Sequence, residues 1–386
     1  MISGLISKDS DYFLISTYLP IKKSILLQIK LGQFPKIWRS ISISHFDLNY
    51  DLRNWSLSKK KLKKNTFAAF IRDFIPMNIP LSVLEGFYRM QEVSRDISWP
   101  KVPKAIFTSN AFWLDEVFKF WCANLIENGT PLITSQHGGN YGVALWSFME
   151  DHQTSISDLF LTWGWRNDKK RNIKPLGILK NLGLSVKSNK NGYLLLVQMM
   201  LPRYSYHMYS VPISSSQFSS YLSDQYDFVK NLPCNIQEKL LIRVNSYDYG
   251  YDVNKRWLDN FPFIKLDYGR KSMLSSMRDS RIFISTYNAT TFLESMSANF
   301  PTIIFWNVNF WELNKQSIPY FELLEEVGIF HKTPESAAKK VINVWDDVDK
   351  WWNGKLIQAA RIKFCYAYAR TPSNPLKSLK NVILNV

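Results

Sequence analysis

The chain has 386 residues, of which 46% are hydrophobic, so we expect two globular domains and exclude a disordered protein. Its three cysteines, Cys122, Cys234 and Cys365, are too widely spaced for a zinc site or a disulfide framework, which fits a reducing compartment. The net charge of +16 predicts an anionic partner. No stretch of the sequence approaches the ~20 apolar residues that a membrane span needs.

The first half of the chain is predicted to alternate helices with strands. Apolar spacing predicts helices at 19–43, at 67–97 with an interruption near Pro76 and Pro80, and at 112–127. Short apolar runs predict strands at 105–107, 131–135 and 158–163. This half is expected to form an N-terminal α/β domain, residues 1–184. In the transfer reaction considered below, this domain is the one expected to bind the acceptor.

A short basic, polar segment at 185–191 is the predicted linker. Beyond it we expect strands at 193–197, 240–244, 263–266, 282–284 and 301–305, and helices at 215–231, 270–279 and 289–298. This alternation predicts a parallel sheet in a second α/β domain, residues 192–333, which the polar segment described below marks as the nucleotide-binding one. A helical tail, 334–386, carries Trp345, Trp351 and Trp352, which pack either across both halves or within one domain.

The segment 131–142 combines a buried strand with a glycine loop. Gly138 and Gly139 have no Cβ, so their N–H groups can approach a ligand. His137 beside them has an imidazole, which suits acid–base chemistry near neutral pH. Gln136 and Tyr141 flank this group, and the alternative is a tight turn with a structural histidine.

The segment 281–294 repeats this pattern, with an apolar strand that ends in small polar residues. Hydroxyls and an amide at the start of a helix predict a phosphate cradle, because free N–H groups and the helix dipole favour an anion there. The cradle residues are Ser285, Thr286, Asn288, Thr290 and Thr291. Glu294, roughly two turns into the helix, is expected to accept hydrogen bonds from ribose. Ordinary helix capping is the alternative.

The densest basic run is Lys59-Lys60-Lys61-Leu62-Lys63-Lys64. A solvated loop is the common explanation of such a run. It has no interleaved aromatic residue, so we exclude nucleic acid and favour an anionic membrane surface. The first 20 residues lack a signal-peptide pattern, which predicts a cytoplasmic protein on the inner membrane face.

Several ordered strings resemble a family of bacterial transferases associated with O-antigen and other surface-polysaccharide loci. They are Ser16-Thr-Tyr-Leu-Pro20, Gln136-His-Gly-Gly139, Thr162-Trp-Gly-Trp165, Leu201-Pro-Arg-Tyr-Ser205, Ser285 through Glu294 and Tyr368-Ala-Arg-Thr-Pro372. The resemblance implies two Rossmann-like domains facing a cleft, as in glycosyltransferase B enzymes, with C-terminal helices crossing back. It also implies more chain before Ser16, so we expect a shortened first domain.

The resemblance implies transfer of a sugar, possible donors including CMP-activated acidic sugars, to a polysaccharide or lipid-linked acceptor. Polyol-phosphate transfer and an inactive binding protein are the alternatives. Relatives usually place proline and histidine at 245–247, so the resemblance implies that Arg243, Tyr247 or Asp248 replaces that histidine here or that donor binding is weakened.

Glycosyl transfer needs a general base and a site for the leaving phosphate. His137 is the favoured base, and the competing residues are Asp115, Glu116, Asp151 and His152. Arg203 is expected to bind phosphate through its planar fork, and Asn110 to line the acceptor side. Asp224 and Asp227 have helical spacing typical of a solvated face, so we expect no metal and no cofactor besides the nucleotide-sugar substrate.

Overall fold

The computed structural model describes residues 8–43, 45–57, 66–180, 183–205 and 212–386. Two compact units make up the chain: unit 1 is Met1–Ser135 with Ile383–Val386, and unit 2 is Gln136–Val382. The domain boundaries expected from the sequence, at 185–191 and at 334, stay a prediction. The lysine run 59–64 lies outside the described residues.

Unit 1 contains three parallel strands. Phe13–Ile15 (β1) pairs with Ile106–Thr108 (β2), and β2 pairs with Leu132–Ser135 (β3). The helices are Ile21–Lys30 (α1), Tyr50–Arg53 (α2), Phe67–Asn78 (α3), Phe87–Asp96 (α4), Ala111–Leu114 (α5) and Glu116–Glu127 (α6). The sequence predicted β2 and β3 and missed β1.

The predicted helix at 19–43 is wrong beyond Lys30. Gly32 has φ +81°, which ends the helix in a left-handed turn, and Pro35 follows. The predicted helix at 112–127 is also divided, because Asp115 leaves the helical conformation and caps α6 by accepting a hydrogen bond from the Phe118 N–H at 2.9 Å.

Aromatic side chains build the core of unit 1. The Phe13 ring on β1 lies 5.1 Å from Trp38, 4.9 Å from Trp99 and 4.4 Å from Trp121, measured between ring centroids. Large rings bury much apolar area at each position, so they stabilise a sheet of short strands.

Unit 2 contains two sets of parallel strands. Leu159–Thr162 (β4) pairs with Ile173–Pro175 (β5). The second set is a six-stranded sheet in the order β8-β7-β6-β9-β10-β11. Its strands are Tyr193–Val197 (β6), Leu240–Arg243 (β7), Lys265–Asp267 (β8), Ser280–Ser285 (β9), Thr302–Phe305 (β10) and Phe330–His331 (β11).

The chain reverses its direction of sheet growth between β6 and β9. Strands β6, β7 and β8 extend the sheet one way, and β9, β10 and β11 extend it the other way. In doubly wound sheets, ligands bind outside the carboxyl ends of the strands at this switch point. A ligand site is therefore expected beside the residues that follow Val197 and Ser285.

The helices that follow Ser135 in the chain continue into the tail, and the last of them ends two residues beyond unit 2. They are Phe148–Ile156 (α7), Phe218–Lys230 (α8), Cys234–Gln237 (α9), Val253–Asn260 (α10), Met273–Arg278 (α11), Thr290–Ser297 (α12), Ile318–Glu326 (α13), Pro334–Val344 (α14), Val348–Trp352 (α15), Lys355–Tyr368 (α16) and Pro375–Leu384 (α17). The Trp352 indole donates to the Asn299 carbonyl at 3.0 Å, and the Arg281 guanidinium lies 4.8 Å from the Trp345 ring. These tail contacts are within unit 2.

The expected α/β class with parallel sheets is confirmed. No helix in the described part of the chain is both long and apolar enough to cross a bilayer.

Candidate active site

Gln136 holds the histidine–glycine loop in place. Its buried side-chain oxygen accepts hydrogen bonds from the Trp163 N–H and the Trp165 indole, both at 2.9 Å, and its amide donates to the Gly138 carbonyl at 2.8 Å. The strings Gln136–Gly139 and Thr162–Trp165 therefore form one hydrogen-bonded assembly. Gln136, predicted to line the acceptor site, holds the loop through all three of these bonds.

His137 is partly buried and is oriented by Tyr141. The Tyr141 hydroxyl donates to the Gln153 side-chain oxygen at 2.6 Å, so its single proton is used there. Its 3.3 Å contact with His137 Nδ1 suits the tautomer that carries the N–H on Nδ1. In the neutral ring this places the lone pair on Nε2, the form that a general base needs.

Glu150 supports the same loop, and the sequence reasoning missed it. Its carboxylate accepts a hydrogen bond from the Gly142 N–H at 2.7 Å. Burial raises the pKa of Glu150, while the Gly142 hydrogen bond acts in the opposite direction. The spacing Ser147-x-x-Glu150 at the start of α7 is a capping-box pattern that could have revealed this unpredicted helix.

Asp151 and His152 follow Glu150 on α7, and both are exposed. The Asp151 carboxylate lies 3.9 Å from the Lys170 ammonium, a surface ion pair. The structure does not bring these two residues into either cavity described below.

The glycine loop touches the start of α12. A Cβ placed on Gly139 would lie 2.0 Å from the Ala289 carbonyl carbon and 2.4 Å from the Thr290 nitrogen. Only glycine permits this approach, since both neighbours are backbone atoms. The structure thus joins two motifs that lie about 150 residues apart in the chain.

Three cradle hydroxyls make hydrogen bonds that hold the corner itself. Thr286 Oγ1 donates to the Val197 carbonyl at 2.9 Å and lies 2.6 Å from the Tyr221 hydroxyl, while Ser285 Oγ donates to the Tyr287 carbonyl at 3.1 Å. Thr291 Oγ1 donates to the Tyr287 hydroxyl at 2.9 Å, and burial raises the pKa of Tyr287 to about 12. These bonds tie the corner to the carboxyl end of β6 and to α8.

Asn288, next along the corner, differs from those hydroxyls. It is 1% exposed, and its Oδ1 has no hydrogen-bond partner among the described residues. Asn288 lines a cavity of about 290 Å³, together with Asn140 of the glycine loop and the half-exposed Trp146. No side chain caps α12, which begins two residues further along at Thr290.

Glu294 lies only one turn into α12, nearer to its start than the sequence reasoning placed it. The carboxylate is 2% exposed and its Oε1 lies 2.7 Å from the Lys180 ammonium.

Gln198, directly after β6, is a switch-point residue that sequence reasoning missed. Its Oε1 accepts a hydrogen bond from the Trp257 indole at 3.1 Å, and its buried Nε2 has no partner among the described residues.

Two residues predicted to bind the donor already make protein contacts. The Arg243 guanidinium contacts Asp267 at 3.0 Å, Ser276 at 2.9 Å and the Lys271 carbonyl at 2.8 Å. The Asp248 carboxylate accepts hydrogen bonds from the backbone of its own loop. Arg203, in contrast, is exposed; its guanidinium donates a long hydrogen bond, 3.3 Å, to the Gly250 carbonyl and lies 5.5 Å from the Tyr204 ring centroid.

Unit 1 has a larger cavity of about 730 Å³. Asn110, Asp115 and Glu116 line it, so the structure gathers these three predicted residues. Asp115 Oδ2 is buried and has no partner in the described chain, whereas Glu116 accepts from the Ser82 hydroxyl at 3.0 Å and pairs with Lys119.

The same cavity borders a strained segment. Ser16, which lines it, has φ +48°, and Tyr18, whose hydroxyl accepts from the Asn110 amide at 2.9 Å, has φ +59°. Two left-handed residues other than glycine within three positions are uncommon, and such strain concentrates at functional sites.

The described residues contain no group of three or more His, Cys, Asp or Glu side chains placed to hold a metal ion. Asp227 pairs with Lys230 at 3.2 Å, and Asp224 is only half-exposed, with its pKa raised to about 6 by burial and by Asp227 and Glu335. Metal independence stays a prediction.

Several solved structures are similar in chain trace. The wall teichoic acid polymerase TagF is 12% identical with TM-score 0.48, covering 99% of this chain and 89% of its own. MurG of Acinetobacter baumannii is 10% identical with TM-score 0.45, covering 98% and 99%. Anabaena HepE, solved with UDP-glucose, is 10% identical with TM-score 0.44, covering 80% and 83%. TM-scores below 0.5 are too low to carry an argument about function.

No curated protein matches the chain. Residues 1–383 match the model of a family described as LIC12162 family transferase. Because the match spans nearly the whole chain, the protein belongs to the LIC12162 family of transferases.

Proposed function

We propose that this transferase is a glycosyltransferase that binds its nucleotide-sugar donor at the Asn288 cavity of unit 2. The observation that carries the proposal is the buried Asn288 oxygen without a partner, beside the uncapped start of α12. An unpaired buried polar atom costs roughly 1–3 kcal/mol, so a site that retains one gains from a polar ligand.

The chemistry of the cavity suits a nucleoside phosphate. The Asn288 amide can offer both donor and acceptor atoms to a ligand, and the dipole of α12, which begins two residues further on, favours a phosphate anion nearby. A volume of about 290 Å³ lies near the lower end of the ~300–1,000 Å³ of ligand pockets, which suits one nucleotide. The Trp146 face on the rim can stack on a base.

His137 acts as the base in this proposal. The acceptor hydroxyl oxygen forms a bond to the anomeric carbon of the sugar and gives its proton to Nε2. The bond from that carbon to the donor phosphate breaks, and the electron pair leaves with the nucleotide. The uncapped start of α12 stabilises the negative charge that develops on the leaving phosphate.

The unit 1 cavity supports binding of a polyhydroxylated acceptor. Its lining includes serine hydroxyls, two carboxylates and Trp113, and Asp115 Oδ2 offers an acceptor atom without a protein partner among the described residues. We propose a surface-polysaccharide or lipid-linked acceptor, met at an anionic membrane surface. The charge of +16 supports that location and supports a CMP-activated acidic sugar as donor.

Isothermal titration with CMP, CDP, UDP and GDP tests the donor site. Asn288→Asp keeps the side-chain size but places a carboxylate beside the phosphate, so we expect at least about tenfold weaker nucleotide binding. Asn191→Asp, at an exposed loop position, is the matched control and should bind like the parent. Equal affinity in all three proteins would remove Asn288 from the donor site.

Incubation with nucleotide sugars and with a CDP-polyol separates the two transfer reactions. We expect a glycosylated product and a free nucleotide by mass spectrometry. Transfer of a polyol phosphate, with release of CMP, would instead support the alternative reaction.

A further inference from the structure

We propose that unit 1 docks on an anionic lipid bilayer through an exposed apolar surface on α3 and α2, which we name the α2–α3 surface. Its members are Tyr50, Leu52, Phe67, Phe70 and Phe74. The inference deepens the membrane location given under the proposed function, because it assigns the docking surface and its apolar character.

Helix α3 turns its aromatic face to solvent. Phe67, Phe70 and Phe74 are spaced at i, i+3 and i+7, so they share one face, and they are 78%, 58% and 48% exposed. Their ring centroids lie 6.5 Å and 5.4 Å apart in succession, which makes a continuous stack. Such a stripe on a helix normally packs against a core, and here nothing in unit 1 covers it among the described residues.

A buried ion pair holds α2 against α3. The Arg53 guanidinium contacts the Glu85 carboxylate at 2.6 Å and 2.7 Å, and it also donates to the Pro76 carbonyl at 2.9 Å and the Ile79 carbonyl at 3.0 Å. The hydrogen bonds from Arg53 lower the pKa of Glu85 to about 2. The end of α3 is therefore tied to α2, which itself exposes Tyr50 and Leu52.

Charge favours an anionic surface as the occupant. Residues 21–78 contain twelve Lys and Arg and three Asp, so this segment carries +9 of the net +16. Within the described part, α1 exposes Lys22, Lys23 and Lys30 and has no acidic residue. Each lysine near an anionic leaflet contributes about 1 kcal/mol, and aromatic rings insert at the boundary between headgroups and acyl chains.

The same positive charge argues against a protein as the partner of the α2–α3 surface. Cores of protein interfaces are depleted in lysine, and a second copy would bring two segments of +9 together. Lysines and exposed phenyl groups in one segment are the combination that an interfacial membrane contact uses.

Vesicle co-sedimentation of the full chain tests the inference. The vesicles are phosphatidylcholine alone or with phosphatidylglycerol. Phe67→Ser/Phe70→Ser should bind the anionic vesicles at least tenfold more weakly than the parent. Leu356→Ser/Ile362→Ser is the matched control, since these unit 2 side chains are 77% and 57% exposed, and it should bind normally. Unchanged circular dichroism and nucleotide affinity confirm that the phenylalanine variant is folded.

Three other outcomes have distinct meanings. Parent-like vesicle binding by the phenylalanine variant would overturn the α2–α3 surface and leave the membrane location standing. Self-association of the parent that this variant abolishes, without vesicle binding, would assign the surface to a second copy. A parent that ignores anionic vesicles but binds nucleotide would overturn both membrane statements and leave the transfer reaction intact.

Discussion

His137 shows how a neighbour decides what a catalytic side chain can do. Histidine offers two ring nitrogens, and the local sequence does not say which one carries the proton. Tyr141 favours one of them, because its own proton goes to Gln153 at 2.6 Å and its oxygen is then placed to accept from Nδ1. The base is thus selected by two hydrogen bonds that involve residues 4 and 16 positions further along the chain.

Replacing His137 with glutamine should remove turnover and retain donor binding. General base catalysis contributes roughly 10²–10⁴-fold, so we expect kcat to fall by about that factor while the nucleotide affinity stays unchanged. Steady-state kinetics together with titration calorimetry measure the two quantities. Turnover equal to that of the parent would assign the proton to another residue, with Asp115 as the next candidate.

Tyr141→Phe separates positioning from catalysis. The ring still packs, but the hydroxyl between His137 and Gln153 is lost. We expect a smaller fall in kcat than for His137→Gln and a changed dependence of kcat on pH, because the proton is no longer fixed on Nδ1. A pH profile like that of the parent would contradict the orienting role.

At the scale of elements, the close approach of the glycine loop to α12 explains why two adjacent glycines are not equivalent. Gly139 has backbone atoms within 2.4 Å of its missing Cβ, whereas the nearest atom for Gly138 is a Tyr141 ring carbon at 3.6 Å. Gly139 therefore forms a contact between two elements, whereas Gly138 has ordinary van der Waals space where a Cβ would stand.

Gly139→Ala should therefore lower the free energy of unfolding by roughly 1–3 kcal/mol, the usual cost of overpacking, and weaken nucleotide binding as the loop moves from α12. Gly138→Ala should change the free energy of unfolding by less than about 1 kcal/mol. Denaturant titration of both variants measures the difference. Equal stability of the pair would show that the loop can withdraw from Ala289 at no cost.

At the scale of the whole molecule, the positive charge is unevenly distributed. A segment of 58 residues, 21–78, carries +9 of the +16, and it also exposes the phenyl face of α3. Binding to an anionic bilayer then has two components. Salt screens the attraction between the positive charge and the headgroups, and it does not screen the insertion of the phenyl face.

Raising the salt concentration from about 50 mM to about 500 mM should weaken binding of the parent protein to anionic vesicles without abolishing it, because the Debye length shrinks several-fold and the apolar component remains. The Phe67→Ser/Phe70→Ser variant should detach completely over the same range. Vesicle flotation at each salt concentration gives both curves. If binding of the parent does not change with salt, the lysines do not contribute to it.

Much of the fold was readable from local patterns. The apolar runs at 193–197 and 301–305 predicted β6 and β10, since a parallel strand buried on both faces is apolar throughout. Short strands with weaker patterns, such as β1 and β11, were missed, and so were the helices α7, α10 and α13. The helix predicted over 19–43 failed because Gly32 and Pro35 outweigh the apolar spacing that surrounds them.

The sequence by itself determined which residue types cluster at strand ends: a histidine with two glycines after β3 and small polar residues after β9. Only the tertiary structure decided which of these side chains already make hydrogen bonds within the protein. It assigned Gln136, Ser285, Thr286 and Arg243 to internal hydrogen bonds and left Asn288 and Asp115 each with a buried oxygen that has no partner among the described residues. The reason is physical: hydrogen-bonding capacity is a property of a residue, whereas its use depends on neighbours that the fold brings from elsewhere in the chain.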